Sequence, residues 1–187
     1  MDRFEFEEFL EAHERGIYGF CRHLAPDTET AWELYQETAL AAFEMRARID
    51  LQNNPKSFLL AIAAGKWKNM SRKAARRQKI APEISSDDDT ATLNLSNMTS
   101  GNFGQCGGGH NPESLTITTQ LNESIARALS EMKDKFRIPL ILHYFDDMST
   151  EEIGGILKIP AGTVKSRLHK GRALMKKSLE KEGFSYE

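Results

Sequence analysis

Basic side chains are concentrated in two separate stretches of this 187-residue chain, and both stretches are suited to binding phosphate. Residues 57–81 contain seven lysines and arginines and no acidic residue, and residues 161–181 contain seven together with the single acid Glu180. Because the formal net charge of the whole chain is only −2, the remaining residues are strongly acidic. Two basic patches on an acidic body indicate two contacts with nucleic acid and a third surface that suits a basic partner.

Residues 149–179 predict a helix-turn-helix that carries the second basic stretch. Ser149 and Glu152 have the spacing of a capping box, and apolar residues follow at helical spacing. Pro160 separates the two helices, because proline disfavours a helical residue before it and is tolerated at a helix start. Since the second helix of this motif lies in the DNA major groove, the pattern predicts DNA binding. The alternative interpretation is an ordinary amphipathic helix with a solvated basic face.

The second helix of the motif has a polar side opposite an apolar side. Apolar residues at about 100° per residue form the buried face: Val164, Leu168, Met175 and Leu179. Ser166 and His169 point to the opposite side, where base edges would be reached. Gly171 lowers the helix propensity and marks a close approach either to DNA or to another helix, and the sequence leaves both open.

The composition favours an all-α protein of two small helical domains joined by a flexible linker. Helical spacing predicts a first helix ending near Pro26, a second beginning at Asp27 or Thr28, and a third from Pro55 to Ile80. The predicted divisions are an N-terminal domain at 1–80, an acidic and glycine-rich linker at 81–113, and a helix-turn-helix domain at 114–187. In the second helix, apolar positions are predicted to pack in the core: Trp32, Leu34, Tyr35, Leu40, Phe43 and Met45.

Chemistry at a catalytic or metal centre is not expected. Cys106 and His110 are too few ligands for a zinc site, and the only other cysteine is Cys21. We find no nucleophile with its base, no phosphate loop and no metal quartet, so we expect neither enzymatic activity nor a cofactor or bound metal. No apolar run is long enough to cross a bilayer and no signal peptide precedes the acidic N-terminus, which favours a cytoplasmic protein without membrane insertion.

Three segments together resemble bacterial RNA polymerase sigma factors of the extracytoplasmic-function (ECF) group. Their C-terminal DNA-binding region is similar to the segment DKFRIPLILHYFDDMSTEEIGGILKIPAGTVKSRLHKGRALMKKSLE. ELYQETALAAF, at 33–43, resembles the helix that binds core polymerase, and KSFLLAIAAGKWKNMSRKAARR, at 56–77, resembles the promoter-melting helix. The resemblance implies a subunit that binds core RNA polymerase, recognises promoter DNA and helps to melt it, and that an anti-sigma factor often holds inactive.

The resemblance also implies a role for individual residues. The recognition helix would bind the minus-thirty-five element through Thr163, Lys165, Ser166, Arg167, His169, Lys170 and Arg172. The melting helix would bind the minus-ten element through Lys66, Lys68, Asn69, Arg72, Lys73, Arg76 and Arg77. Docking on a basic coiled coil of the largest polymerase subunit would use Glu33, Gln36 and Glu37. Trp67, beside these bases, lies on the apolar side of its helix and is predicted to belong to the core rather than to stack on a base.

Two other functions remain as alternatives. A stand-alone helix-turn-helix transcriptional regulator would bind an operator as a dimer without polymerase and would not need the helix at 33–43. A nucleic-acid enzyme would hold Mg²⁺ with Asp87, Asp88 and Asp89, but three consecutive acids in a Gly/Ser-rich context lack a rigid scaffold for the metal.

Overall fold

Seven α-helices and one short 3₁₀ turn make up the protein in a computed structural model, which describes residues 2–51, 54–80 and 112–184. The N-terminal helices are α1 (Arg3–Leu24), α2 (Thr28–Glu44) and α3 (Pro55–Ile80), with the 3₁₀ turn at Arg46–Arg48. The C-terminal helices are α4 (Pro112–Glu131), α5 (Asp134–Tyr144), α6 (Thr150–Leu157) and α7 (Ala161–Lys181). No strand occurs within those ranges, and the predicted all-α class is confirmed.

Side-chain caps fix the start of several helices. The Asp2 carboxylate accepts from the backbone amide of Glu5, and the Asp27 carboxylate accepts from that of Thr30. At α6, the Ser149 hydroxyl accepts from the Glu152 amide while the Glu152 carboxylate accepts from the Ser149 amide, which confirms the predicted capping box. Hydrogen bonds from Ser149 lower the pKa of Glu152.

The apolar core runs without interruption through both groups of helices. Ile17, Phe20 and Leu60 are fully enclosed in the N-terminal half, and Ile141 and Ile153 in the C-terminal half. Helices α1 and α3 also contact α4, α5 and α6 directly. We call the contact surface between α1–α3 and α4–α7 the seam. The predicted linker lies largely outside the described residues, and the division into domains at 81–113 stays a prediction.

Two of the predicted core positions on α2 are wrong. Trp32 is 46% exposed and Leu40 is 55% exposed, whereas Leu34 and Tyr35 are buried as expected. Burial of α2 instead uses small residues that allow close packing, among them Ala31, Ala41 and Ala42. The apolar side chains of Trp32 and Leu40 therefore stand on the surface of α2 rather than in its packed face.

Within the part of the chain that the structure describes, every helix is too short or too polar to span a bilayer.

Candidate nucleic-acid interface

The outer face of α7 presents polar and basic side chains to solvent. Val164 and Leu168 are buried against the neighbouring helices, so the opposite side of α7 must face outward. Five of the predicted minus-thirty-five residues are exposed: Lys165, Ser166, His169, Lys170 and Arg172. Thr163 and Arg167 are partly buried at the edges of that face. Edge positions suit phosphate contacts and outward positions near the helix start suit base edges.

A tight turn holds α7 against α6 and so sets the angle of this face. Lys158 ends α6 in the left-handed conformation with φ of 55°, and Pro160 precedes the first residue of α7. A Cβ atom at Gly154 would lie 2.9 Å from the Ile159 carbonyl oxygen, so only glycine allows the turn to fold back this closely. The turn is therefore determined by packing as well as by proline.

Gly171 marks a helix contact in this structure. A Cβ atom there would lie 2.9 Å from Cδ1 and 3.1 Å from Cγ of Leu140 on α5, and Gly171 itself is buried. The question that the sequence left open is thus answered in favour of another helix. Close packing of α5 on α7 supports the outer face from behind.

The basic residues of α3 are more varied in their surroundings than those of α7. Asn69, Arg72, Lys73, Arg76 and Arg77 are exposed. Lys66 Nζ lies 2.7 Å from Glu37 Oε2, and Lys68 is partly buried. Burial lowers the pKa of Lys68, and the nearby charges of Arg167 and Arg72 lower it further. The resemblance implies seven DNA-contacting residues on α3; of these, Lys66 is paired with Glu37 and Lys68 is partly buried.

An acidic and aromatic surface lies on α2. Glu33, Gln36 and Glu37 are all exposed, and the bond from Lys66 lowers the pKa of Glu37. Beside them the Trp32 ring stacks on Tyr35 with centroids 5.3 Å apart. Sequence periodicity placed Trp32 in the core and so missed the aromatic part of this surface. An exposed aromatic ring such as that of Trp32 is typical of a protein-binding surface.

Trp67 is buried, as predicted, and it lies at the seam rather than within α1–α3 alone. The Arg137 guanidinium on α5 sits over its ring, 5.3 Å from the centroid. Both residues line a cavity of about 240 Å³ together with His23 and Ser130. Trp67 Nε1 and Arg137 Nε have no hydrogen-bond partner there. In this arrangement the indole cannot stack on a DNA base.

No group of three or more His, Cys, Asp or Glu side chains in the described ranges is arranged to hold a metal ion. The acids Asp87, Asp88 and Asp89 and the pair Cys106 and His110 lie outside those ranges. The residues considered for a magnesium or a zinc site therefore lie outside the geometry described above.

Two family models match the sequence, one on each side of residues 81–111. Residues 9–77 match sigma-70 region 2, and residues 122–175 match sigma-70 region 4. The ECF RNA polymerase sigma factor SigW of Bacillus subtilis is 28% identical over 178 residues, which are 95% of this chain and 90% of that protein. The chain belongs to the ECF group of the sigma-70 family. The region 2 match does not favour a stand-alone helix-turn-helix regulator.

Other proteins extend the similarity of this sigma factor. The ECF sigma factor SigE of Mycolicibacterium smegmatis is 27% identical over 181 residues, and the alignment spans 94% of this chain and 62% of SigE. The sigma factor RpoE of Bartonella quintana, solved in complex with the anti-sigma factor NepR, superposes with a TM-score of 0.70 at 19% identity. That match covers 94% of this chain and 97% of RpoE. At such identity the likeness concerns the fold.

Proposed function

We propose that this sigma factor binds core RNA polymerase through α2 and places two basic helices on promoter DNA. A sigma factor directs its polymerase to promoters and helps to open the duplex, and it performs no chemistry of its own. The observation that carries the proposal is the separation of charge: an acidic face on α2, and basic faces on α3 and α7. We further propose that the chain acts without a cofactor, and in the cytoplasm, where its polymerase works.

The outer face of α7 is assigned to the minus-thirty-five element. It combines hydroxyl, imidazole and cationic side chains on a rigid helix, and duplex DNA is read by such groups in the major groove. Lys165 and Lys170 flank the side that bears Ser166 and His169. Arg167, at the edge of the face, is placed for a phosphate contact.

The basic face of α3 is assigned to the minus-ten element and to the opened strand. Opening a duplex costs stacking energy, which a protein offsets by binding unstacked bases and by tracking their phosphates with cations. Arg72, Lys73, Arg76 and Arg77 are exposed along one helix and suit this tracking.

The acidic face of α2 is assigned to core polymerase. Glu33 and Glu37 lie one turn apart, so both can face a basic partner. An anti-sigma factor is proposed as a further partner, because RpoE of Bartonella quintana, which has the same fold, is held by one.

Reconstituted run-off transcription tests the proposal. Purified chain added to core polymerase should produce transcripts from defined starts on genomic fragments, and EDTA should not impair the binding of the chain to core polymerase. Operator binding by the chain alone, with no effect on polymerase, would instead favour a stand-alone regulator.

A charge reversal tests the assignment of α2. Glu33→Lys combined with Glu37→Lys should weaken co-purification with core polymerase at least about tenfold, which is roughly 1.4 kcal/mol. Glu7→Lys combined with Glu11→Lys makes the same change of charge one turn apart on α1 and should leave co-purification intact. Undiminished co-purification of the α2 variant would contradict the assignment.

A further inference from the structure

A cavity of about 240 Å³ lies at the seam, and its walls come from both groups of helices. The end of α1, the loop after it and the middle of α3 form one side, and α4 with the start of α5 forms the other. The cavity is partly open to solvent, so a small molecule has a route into it. Since liquid water occupies about 30 Å³ per molecule, the space suits a ligand of roughly six to eight non-hydrogen atoms.

Polar contacts elsewhere along the seam hold the two walls together. Each joins α3, or the residue just before it, to α5, α6 or the turn between them: Asn54 with Glu152 at 2.6 Å, Lys56 with Asp146 at 2.8 Å, and Ser71 with Asp134 at 3.3 Å. The His23 ring at the end of α1 also packs on the Phe145 ring, with centroids 4.0 Å apart. The cavity is therefore preformed, as ligand sites usually are.

Two buried hydrogen-bond donors in the residues of the cavity wall lack an acceptor. Trp67 Nε1 and Arg137 Nε each carry one hydrogen, and neither has a hydrogen-bond partner. The Arg137 side chain is only 10% exposed, and Trp67 is only 7% exposed. A buried donor without an acceptor costs free energy, so a group that brings an acceptor to both atoms stabilises the protein.

The charges around the cavity favour a negatively charged acceptor. Arg137 Nη2 lies 2.6 Å from Asp134 Oδ1, which leaves the Nε edge of the guanidinium for a second acceptor. Burial and, second, the charge of Arg22 lower the pKa of His23 in the wall, so another cation acts on this space. None of the described residues that line the cavity is an acid.

The rest of the wall is apolar, which decides between kinds of anion. Apolar side chains stand beside the Trp67 ring: Leu24, Ala25, Pro26 and Ala126. A phosphate ion would lose its water on all sides here, and two donors are too few to replace it. A short-chain carboxylate instead has one charged end for the two donors and one apolar end for these side chains.

We propose that this cavity is a binding site for a short-chain aliphatic carboxylate, whose oxygens accept hydrogen bonds from Trp67 Nε1 and Arg137 Nε. The bond to the guanidinium is charge-assisted, and the carbon chain packs on the apolar wall. None of the described residues that line the cavity is assigned to DNA or to polymerase. The site therefore does not depend on the proposed function and adds a small-molecule ligand to it.

Titration of the full chain with sodium butyrate, followed by heteronuclear NMR, tests the site. The chain has two tryptophans and hence two indole N–H signals, which a Trp32→Phe variant assigns. Butyrate should move the Trp67 signal downfield in a saturable way, because this N–H gains an acceptor. The Kd should be on the order of 1 mM, since so small a ligand makes few contacts. The exposed Trp32 ring is the internal control, and its signal should not move.

Butanol and sodium chloride separate the carboxylate from other causes of a shift. Butanol has the same apolar chain without the charge, and sodium chloride supplies ionic strength alone. Each should leave the Trp67 signal in place at the concentration where butyrate saturates it. A cavity that holds only water would show no saturable shift with butyrate. That result, or an equal shift with butanol or with chloride, would overturn the inference.

Filling the cavity gives a second and independent test. Ala126→Leu places a larger side chain in the apolar wall and removes neither donor, so butyrate binding should weaken at least about tenfold. Ala128→Leu is the matched control, because Ala128 lies on the same helix, is buried to a similar degree and lines a different cavity. The control should bind butyrate as the unmodified chain does. Undiminished binding by a folded Ala126→Leu variant would show that butyrate does not occupy this cavity.

Discussion

Helices α3 and α7 are both long, basic and amphipathic, yet their surroundings differ. On α7 the basic side chains stand on an open outer face, supported from behind by buried Val164 and Leu168. On α3, Lys66 is paired with Glu37, Lys68 is partly buried, and Trp67 is enclosed at the seam. The outer face of α7 is therefore open to a ligand as it stands, whereas on α3 Lys66 is paired and Lys68 is partly covered.

The largest effect is expected from removing cations on the open face of α7. Lys165→Ala and Arg167→Ala together should reduce promoter-directed transcription about 10- to 100-fold while core-polymerase binding stays intact, because each good contact to DNA contributes about 1–3 kcal/mol. Each lost phosphate contact should also flatten the slope of log affinity against log salt by roughly 0.9. If transcription is unchanged in both single variants and in the double variant, the assignment of the outer face of α7 to promoter DNA is contradicted.

The pH dependence of stability should report on the seam that covers α3. Burial, and next the charge of Arg22, lower the pKa of His23 from 6.5 to about 4 in the folded protein. His23 therefore contributes stability above its unfolded pKa, and this contribution is progressively lost as the pH falls from about 6.5 towards 4. At 1.36 kcal/mol per pK unit the loss amounts to roughly 3 kcal/mol.

Urea unfolding at several pH values measures this loss, and His23→Gln should flatten the profile between pH 6.5 and 4. Asp146 acts in the opposite direction, because burial raises its pKa although the bond from Lys56 partly offsets this rise. The difference between the profiles of the unmodified chain and of His23→Gln isolates the contribution of the histidine. An identical profile in both would show that His23 does not titrate with folding.

Replacement of a glycine by alanine should change the stability of the protein in opposite directions on α7 and on α3. Gly171→Ala on α7 should destabilise the protein by about 1–2 kcal/mol, because the new methyl group would press on Leu140. Gly65→Ala on α3 meets nothing within 4 Å and should stabilise by about 0.5–1 kcal/mol, through helix propensity alone. Thermal unfolding of the two variants checks both signs, and stabilisation by Gly171→Ala would refute the close packing of α5 on α7.

The smallest effect on stability is expected at the pair of Lys66 and Glu37. Their side chains are 32% and 47% exposed, so the pair should contribute less than about 1 kcal/mol. Glu37→Gln should therefore leave the free energy of unfolding almost unchanged. A large loss would mean that the pair is structural, and that the cation on α3 is not available for DNA.

Local patterns in the sequence were sufficient to predict most of the helices and the residues exposed on the outer face of α7. The capping box at Ser149 and Glu152 and the start of α3 at Pro55 both depend on neighbours within a few residues. The burial of Trp67 was predicted from the apolar side of its helix, but the residue that covers its ring, Arg137, is distant in sequence. The exposure of Trp32 and Leu40 was missed because α2 packs through its alanines, so its apolar pattern does not point in one direction.

The seam could not be predicted from the sequence. Lys56 and Asp146 are 90 positions apart, and no spacing rule connects them. Asn54 and Glu152 are 98 positions apart, and Ser71 and Asp134 are 63 positions apart. Among the residues named at the seam, Asp134 and Arg137 on α5 do have the local spacing of an ion pair, three residues apart. The roles of individual residues on α2, α3 and α7 stay predictions.

The bond between Lys66 and Glu37 has a consequence for how two ligands affect each other. One of its ends belongs to the surface assigned to polymerase and the other to the surface assigned to DNA, and each charge at present neutralises the other. If a basic group of polymerase pairs with the Glu37 carboxylate, the Lys66 ammonium loses its counter-ion. Lys66 then attracts phosphate more strongly. Because such coupling is reciprocal, phosphate bound to the Lys66 ammonium increases the affinity of Glu37 for polymerase by the same factor. A single exchange of counter-ions on the surface would thus make the two associations cooperative.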